Sequence, residues 1–423
     1  MGLFSSSKNK NTLPECSLVP EPISMDVVKE LFPIKDYDNE MLLAFTADLK
    51  SEVFPKQTTL FSSGEKTDSA LYLLKGTVSL LDQTGKTFEI ASETGKSKFP
   101  LSSGSTHVTT AIAKTDVSVL RVSHKILSPK HSPASGRSEL VLPSELSKNR
   151  LISSFIDHYN HEELKIPSLP DVAIKLRNAM QNDAGIADIV KIIQLDPVIS
   201  AKLIGLANCP LYISVNPVKS CFEAVNRIGL NATSNLVISL GLSSNFKSNS
   251  PLIKKFFDKI WEQSVYISTL SYFLATATKQ INPQEAQLAG LICDIGAVPF
   301  LSFAANHFSY FESDIKLALP YVKGPVGHRI LLDWGFTEDF LNVPLCSEDW
   351  FQNSSNELNL TDIVVLSQLH YKTGQPNMTK IPPITSIPAA SKLKNLSLSP
   401  EFSLNILSEA KQQINETIKM FSS

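Results

Sequence analysis

The spacing of apolar residues changes character along this chain, and that change decides what it can fold into. From Glu52 to Val122 the apolar residues come in short β-prone runs, VFPKQTTLF, ALYLLKG, TVSLLDQ, TFEIA, VTTAIA and VSVLRV, broken by Gly, Ser and Lys. Each run alternates apolar with polar positions, the pattern of antiparallel strands in a barrel or jelly roll. From Arg150 onward the apolar positions recur instead at helical spacing, segment after segment. The stretch between them, SPKHSPASGRSELVLPSELSKN, holds three prolines and many serines and reads as a linker. Two periodicities on either side of a linker imply two domains of different class.

Length agrees, since 423 residues exceed what one core usually serves. The boundaries read as a disordered tail over 1–24, a β-roll over 25–127, the linker over 128–149, an all-α domain over 150–372, and a Pro/Ser-rich segment with a final helix over 373–423. Two short amphipathic helices are expected between Met25 and Lys50. In the helical half, breaks fall at Pro167, Pro170, Pro197, Pro217, Pro251 and Pro283, and Asp196 before Pro197 and Asn282 before Pro283 have the form of helix starts. The stretch TGQPNMTKIPPITSIPAASK reads as less ordered. An amphipathic helix from about Pro400 to Met420 follows, with Phe402, Leu404, Ile406, Leu407, Ile414 and Ile418 on its docking face.

Charge and cysteine content exclude several functions. A net charge of −2 with mixed signs offers no basic face for nucleic acid. The five cysteines, Cys16, Cys209, Cys221, Cys293 and Cys346, contain no CxxC pair, which argues against a disulfide framework and a structural zinc site and for a reducing cytoplasm. The N-terminus, MGLFSSSKNKNTLPE, has no apolar signal core, although Gly2 and Ser6 meet the loose pattern for N-myristoylation without a second anchor nearby. The apolar window Ala286–Ala305 is interrupted by Gln287, Asp294 and Pro299, so it reads as a core helix and not as a membrane span.

Within that window, LAGLICDIG places Leu288, Leu291, Ile292 and Ile295 on one helical face with Asp294 at its edge. A carboxylate there must be paired, capped or metal-bound, because burying it alone is costly. The surrounding segments, in order, are IPSLPDVAIKLRNAM, IVKIIQLDPVISAKLIGLANCPLY, VKSCFEAVNRIGLNATSNLVISLGL, WEQSVYISTLSYFLA, EAQLAGLICDIGAVPFL and GPVGHRILLDWGF. They resemble the HDOD domain, a bacterial output domain related to the metal-dependent HD phosphohydrolases and the HD-GYP cyclic-dinucleotide phosphodiesterases, over roughly residues 150 to 370.

The resemblance implies metal-ligand positions that can be checked one by one. Where catalytic relatives carry a histidine after Trp-x, this chain has Gln263. Cys293 stands for the histidine of the His-Asp doublet and Asp294 for its aspartate; Lys323 holds the third position, and Gln368 the late aspartate. Metal-assisted phosphoryl chemistry needs several imidazole and carboxylate ligands to hold the ion and acidify its water. A glutamine oxygen is a weak ligand, an ammonium repels the ion, and one thiolate with one carboxylate does not complete a site. The chain is therefore expected to bind no metal at these positions, to need no cofactor and to be no enzyme.

Elsewhere only His158 and His161 have ligand-like spacing, and without a third separated ligand they read as a solvated helix face beside Asp157 and Glu162. His328, Arg329 and Lys323 read as an outer face of the Trp334 helix, with anion binding as the other reading.

The N-terminal half resembles the cyclic-nucleotide-binding β-roll, with Gly64 and Gly76 at turn positions. That family holds the cyclic phosphate on a Phe-Gly-Glu start, backbone amides and an arginine. Here the cassette is Phe99, Pro100, Leu101, Ser102, Ser103, Gly104 and His107. Pro100 has no amide proton, Leu101 cannot accept from a ribose hydroxyl, and His107 is no guanidinium. Ser102–Ser105 could still nest another anion.

Both halves then point to a cytoplasmic bacterial signalling protein that binds a protein partner through the helical domain without turnover. In this reading, contact or ligand at the roll alters its packing on the helical domain. The other expectations are an HD-type phosphohydrolase and a regulator that binds a small nucleotide in the roll.

Overall fold

The computed structural model describes residues 16–127 except 38, 47–48 and 83–84, then 149–161, 171–209, 216–242, 246–306, 310–373 and 381–394, with single residues 140, 146, 169, 212 and 415. The N-myristoylation pattern at Gly2 and Ser6, most of the linker over 128–149 and the expected helix Pro400–Met420 lie outside them. The chain divides into two units, Met1–Pro129 with Pro382–Ser391, and Lys130–Ile381 with Lys392–Ser423.

Among the described residues the first unit holds seven strands: β1 Glu52–Phe54, β2 Thr59–Phe61, β3 Ser69–Lys75, β4 Thr77–Leu81, β5 Thr87–Ala91, β6 Thr110–Ala113 and β7 Val117–Ser123. They form two antiparallel sheets, β1-β7-β3 and β2-β6-β4-β5, and the expected run VFPKQTTLF divides between β1 and β2. Gly76, at φ +91°, makes the tight β3–β4 turn, and a Cβ there would overlap the Asp116 carbonyl.

Strict alternation fails in β3, whose residues Ser69–Leu73 are all buried. The reason is a helical cover on one face. Ala70, Tyr72, Leu120 and Val122 share a core with Val28, Leu31, Ile34, Leu42 and Leu127, contributed by α1 Met25–Val28, a 3-10 turn at Ile34–Asp36 and the chain between them, α2 Asn39–Thr46 and α3 His124–Leu127. Leu71 and Leu73, pointing the other way along the pleat, are buried on the opposite face. The Tyr72 hydroxyl donates to the Phe32 carbonyl at 2.8 Å, which satisfies its polar end inside this core.

Two expectations are corrected in this unit. Residues 16–24 are no disordered tail: Pro22 bridges Lys50, Ile23 N donates to Leu49 O at 3.0 Å, and Ser51 N donates to Glu21 O at 2.9 Å. Nor is Pro382–Ser391 a loose stretch. It holds a 3-10 turn at Ile384–Ser386 and the short helix Pro388–Ser391, groups with the roll, and is buried from Pro382 to Ala390.

The second unit is helical: α4 Arg150–Asn160, α5 Asp171–Gln181, α6 Ile186–Ile193, α7 Pro197–Ala207, α8 Cys221–Ile228, α9 Leu230–Leu242, α10 Pro251–Thr278, α11 Pro283–Ile292, α12 Ala297–Ala305, α13 Glu312–Asp333, α14 Glu338–Cys346 and α15 Leu360–Thr373. The short helix Pro388–Ser391 of the first unit is α16. The two expected helix starts are capped as read. Asp196 accepts from Val198 N and Ile199 N at 2.9 and 3.0 Å, and Asn282 from Gln284 N and Glu285 N at 2.9 and 3.3 Å, each with proline at the first helical position.

Small residues let the central helices approach. A Cβ on Gly290 of α11 would lie 2.8 Å from Ser268 Cα of α10, and Ser271 of α10 donates to Ser367 of α15 at 3.0 Å. Pro283–Ala305 is long and apolar enough to cross a membrane, its most apolar 18 residues having mean hydropathy 1.8, but 83% of those are buried in the fold and the span breaks into two helices at Cys293–Gly296.

Candidate functional site

The break between α11 and α12 builds the site. Gly290, Leu291 and Ile292 end α11 inside the core, and the turn Cys293–Gly296 then swings the chain against α13. A side chain on Gly296 would overlap the Lys323 carbonyl and the Gly327 amide, so glycine is what allows turn and helix to touch. Helix α13 continues through Pro320 and Pro325, which places Lys323 mid-helix beside that turn.

All five positions singled out by the family resemblance converge. Lys323 Nζ lies 2.7 Å from Asp294 Oδ1, and Gln263 Nε2 donates to Asp294 Oδ2 at 3.1 Å and to Gln368 Oε1 at 3.4 Å. Gln368 Nε2 in turn donates to Cys293 Sγ at 3.7 Å, and that thiol donates to the Gly290 carbonyl at 3.1 Å. Asp294 is 2% exposed and Gln368 and Cys293 are fully buried. Both Asp294 oxygens, the Gln263 and Gln368 amide nitrogens and the Cys293 thiol are thus answered by neighbours within the network.

Two residues join it that the sequence did not single out. Glu348, just past α14, sits 3.2 Å from Lys323 Nζ and 2.7 Å from Lys372 Nζ. Lys372 is four residues beyond Gln368 on α15 and so shares its helix face, a spacing that could have found it. Glu348 follows a helix end in the run SEDW and carries no such signal.

The charges set one another. Burial opposes the Lys323 ammonium, but Asp294 and Glu348 outweigh it and hold its pKa above the ordinary lysine value. Burial likewise works to raise Glu348, yet Lys323 and Lys372 hold it well below the usual carboxylate range. Cys293 is pushed up by burial and then by Asp294, which keeps it a thiol.

A divalent cation does not fit this donor set. Both Asp294 oxygens are engaged, one by an ammonium, the groups beside it are amides and a thiol, and the Glu348 carboxylate is held by the Lys323 and Lys372 ammoniums. Among the described residues no three of His, Cys, Asp and Glu gather in a group that could hold a metal ion. The ammonium of Lys323 supplies the positive charge that Asp294 requires.

The other singled-out residues are placed separately. His158 Nδ1 lies 2.9 Å from the Ser154 carbonyl and His161 Nδ1 2.7 Å from the Asp157 carbonyl, each one turn back on its own helix. His328 Nδ1 pairs with the Leu341 carbonyl at 2.9 Å, and Arg329 lies 3.9 Å from Asp333. Lys323 does not share an outer face with them, since it is turned into the polar network with its side chain only 14% exposed.

In the roll, the cassette residues Phe99, Pro100, Leu101, Ser102, Ser103, Gly104 and His107 are all buried. His107 Nδ1 lies 2.9 Å from Ser102 Oγ, and its ring stacks on Phe61 at 4.0 Å. Burial, opposed by Glu65, lowers its pKa to about 4, so it is neutral at physiological pH.

Residues 166–348 match the HDOD domain model, and the chain carries an HDOD domain there. A curated protein of Treponema pallidum (strain Nichols) is 27% identical over 186 residues, 43% of this chain; the match spans about a third of that relative's own length, 34%. Among solved structures, a protein from Shewanella amazonensis SB2B named as a metal-dependent phosphohydrolase shares the helical fold at 21% identity, covering 64% of this chain and 96% of its own with a TM-score of 0.55. A cyclic-nucleotide-binding-like protein from Brucella abortus matches at 20% identity over 24% of this chain and 91% of its own, TM-score 0.20.

Proposed function

We propose that this chain is a cytoplasmic bacterial signalling protein whose HDOD domain acts by binding a protein partner and carries out no hydrolysis. The observation that carries the reading is the Lys323–Asp294 pair at 2.7 Å, an internal cation seated on the carboxylate that a catalytic metal would need. Neither Gln263 nor Gln368 supplies the charge that would draw an ion to replace it. A partner-binding role is supported by Leu195, Val198 and Phe222, apolar side chains that are 61, 64 and 51% exposed around the successive helices α6 to α8.

The test is metal content by mass spectrometry together with hydrolysis assays on nitrophenyl phosphates, cyclic dinucleotides and nucleotides, with manganese and magnesium supplied. The reading expects substoichiometric metal and no turnover above buffer. Stoichiometric metal with product release that Lys323→Ala changes would establish the hydrolase instead. Thermal shifts against cyclic mononucleotides test the roll in parallel, and saturable stabilisation lost in His107→Ala would establish a nucleotide-responsive regulator.

A further inference from the structure

The loop Pro100–His107 takes no part in the helical-domain reading, yet it is closely engaged. Ser102 and Ser103 are 1 and 2% exposed, and the chain that reaches the loop comes from far along the sequence. The Ser103 hydroxyl donates to the carbonyl of Ser386. Next to it, Gly104 lies so near Ser391 that a Cβ on the glycine would overlap both Cβ and Oγ of the serine. Adjacent loop residues therefore touch the segment Pro382–Ser391 at two places along its length.

The segment has the make-up of a preformed peptide ligand. Its sequence, PPITSIPAAS, has no charged residue and three prolines, which lower the entropy lost on ordering it. Internal bonds satisfy much of its polar content: Ser386 N and Oγ donate to the Pro383 carbonyl at 2.9 and 2.8 Å, and Ser391 Oγ to the Pro388 carbonyl at 2.7 Å. The Ser386 carbonyl is the group offered to the loop. On its side the loop is equally uncharged, with proline, leucine and serine followed by a neutral His107 already bonded to Ser102. The loop itself offers an anion no charged side chain, whereas a neutral peptide loses little on leaving water.

We propose that the loop Pro100–His107 is a docking site for an uncharged, proline-flanked peptide and that its resident ligand is this chain's own segment Pro382–Ser391. The assignment stands whether or not the helical domain is catalytic. Its consequence follows from connectivity. The residue after Ser391 is Lys392, whose ammonium lies 2.9 and 3.0 Å from the Asp362 oxygens, on the helix α15 that also carries Gln368 and Lys372. A peptide that displaced the segment would act on the chain one residue from that buried pair.

The contact at Gly104 gives a size-complementation test in the full-length protein. Gly104 has no positive φ, so alanine is opposed by Ser391 and not by its own backbone. Amide hydrogen exchange should rise at least tenfold across Ile384–Ala390 in Gly104→Ala while β3 and β7 stay protected. Adding Ser391→Gly, which removes the overlapping atoms, should restore protection. Unchanged exchange in Gly104→Ala, or failure of the second substitution to restore it, overturns the proposal.

If Gly104→Ala unfolds the roll, a titration decides. The labelled peptide PPITSIPAAS, with both termini blocked, is added to the wild-type chain and to a full-length chain in which 382–391 is a Gly/Ser stretch of equal length. Saturable binding to the replaced chain, at least tenfold weaker to wild type, supports the docking site. No binding to the replaced chain, or equal binding to both, refutes it.

Discussion

The Lys323 ammonium lies 2.7 Å from one oxygen of Asp294, while the amide of Gln263 holds the other oxygen at 3.1 Å. Removing the ammonium leaves a carboxylate that is 2% exposed with only a neutral partner. Breaking a buried pair on one side costs about 3–5 kcal/mol, most of it the uncompensated charge. Lys323→Met should therefore destabilise the helical unit by that order, and Lys323→Met with Asp294→Asn should recover more than half. Urea unfolding of Lys323→Met, Asp294→Asn and the double variant measures the coupling, and additive losses would show that the pair is not coupled.

The same cluster sets a pH dependence. Glu348 has a depressed pKa, so its contribution is present above the ordinary carboxylate range and is lost as pH falls through that range and below it. Lys323 has a raised pKa, so its contribution is present below the ordinary lysine value and is lost only as pH rises past it. Stability of the helical unit should be flat near neutrality and fall towards acid. Glu348→Gln should lower the plateau and flatten the acid limb, as followed by circular dichroism melts from pH 7 to pH 3.

Much of this cluster was legible in the sequence. Gln263, Cys293, Asp294, Lys323 and Gln368 stand on separate elements, yet the order of segments around LAGLICDIG placed them at one centre. The turn at Gly296 shows why the placement holds, since turn and α13 are in backbone contact. Glu348 was not legible, because it lies past a helix end where no periodicity marks a face. Pro382–Ser391 misled for a related reason: prolines and serines suggest a loose stretch, but these residues bond among themselves and their burial depends on chain nearly three hundred residues away, a separation of 283 for Ser103 and Ser386. In the roll, strand positions were legible from alternation, and β3 departed from it because α1 to α3 cover the face that alternation assigns to water.

Burial protects Cys293 chemically as well as structurally. Its thiol is fully buried, donates to the Gly290 carbonyl, and is held protonated by burial and by Asp294. Alkylation goes through the thiolate. Iodoacetamide at pH 8 should modify Cys16, which is partly exposed, well before Cys293, and Cys293 should react only after denaturant is added. Peptide mapping of the alkylated protein reads the order, and early labelling of Cys293 in native protein would contradict that burial.

Lys392 and Asp362 form a second buried pair, 3 and 0% exposed in their side chains. Burial raises the Asp362 pKa despite the ammonium beside it, so the carboxylate depends on Lys392 and on the Gln352 amide. Lys392→Met should cost about 3–5 kcal/mol, and Lys392→Met with Asp362→Asn should recover part of it. Because Lys392 directly follows the segment docked on the roll, the single variant should also speed hydrogen exchange at Ile384–Ala390. Exchange there that stays at the wild-type rate would separate the pair from the docked segment.

His107 gives the roll an acid limit of its own. It is 4% exposed, stacked on Phe61 and bonded to Ser102, and its pKa is lowered from 6.5 to about 4. Between those values the unfolded chain carries the proton and the folded chain does not, so the unfolded state binds more protons and stability falls as pH drops through that window. The loss from pH 7 to pH 4 should be about 2 kcal/mol, somewhat below what burial alone would impose because nearby Glu65 favours the proton. His107→Gln removes the titration while leaving a polar group that can reach Ser102. Unfolding followed at Tyr72, which is inside the roll core, should show this slope in wild type and a flatter one in the variant. Equal slopes would mean that the imidazole takes up its proton without disturbing the loop, and the neutral surface offered to Pro382–Ser391 would not depend on it.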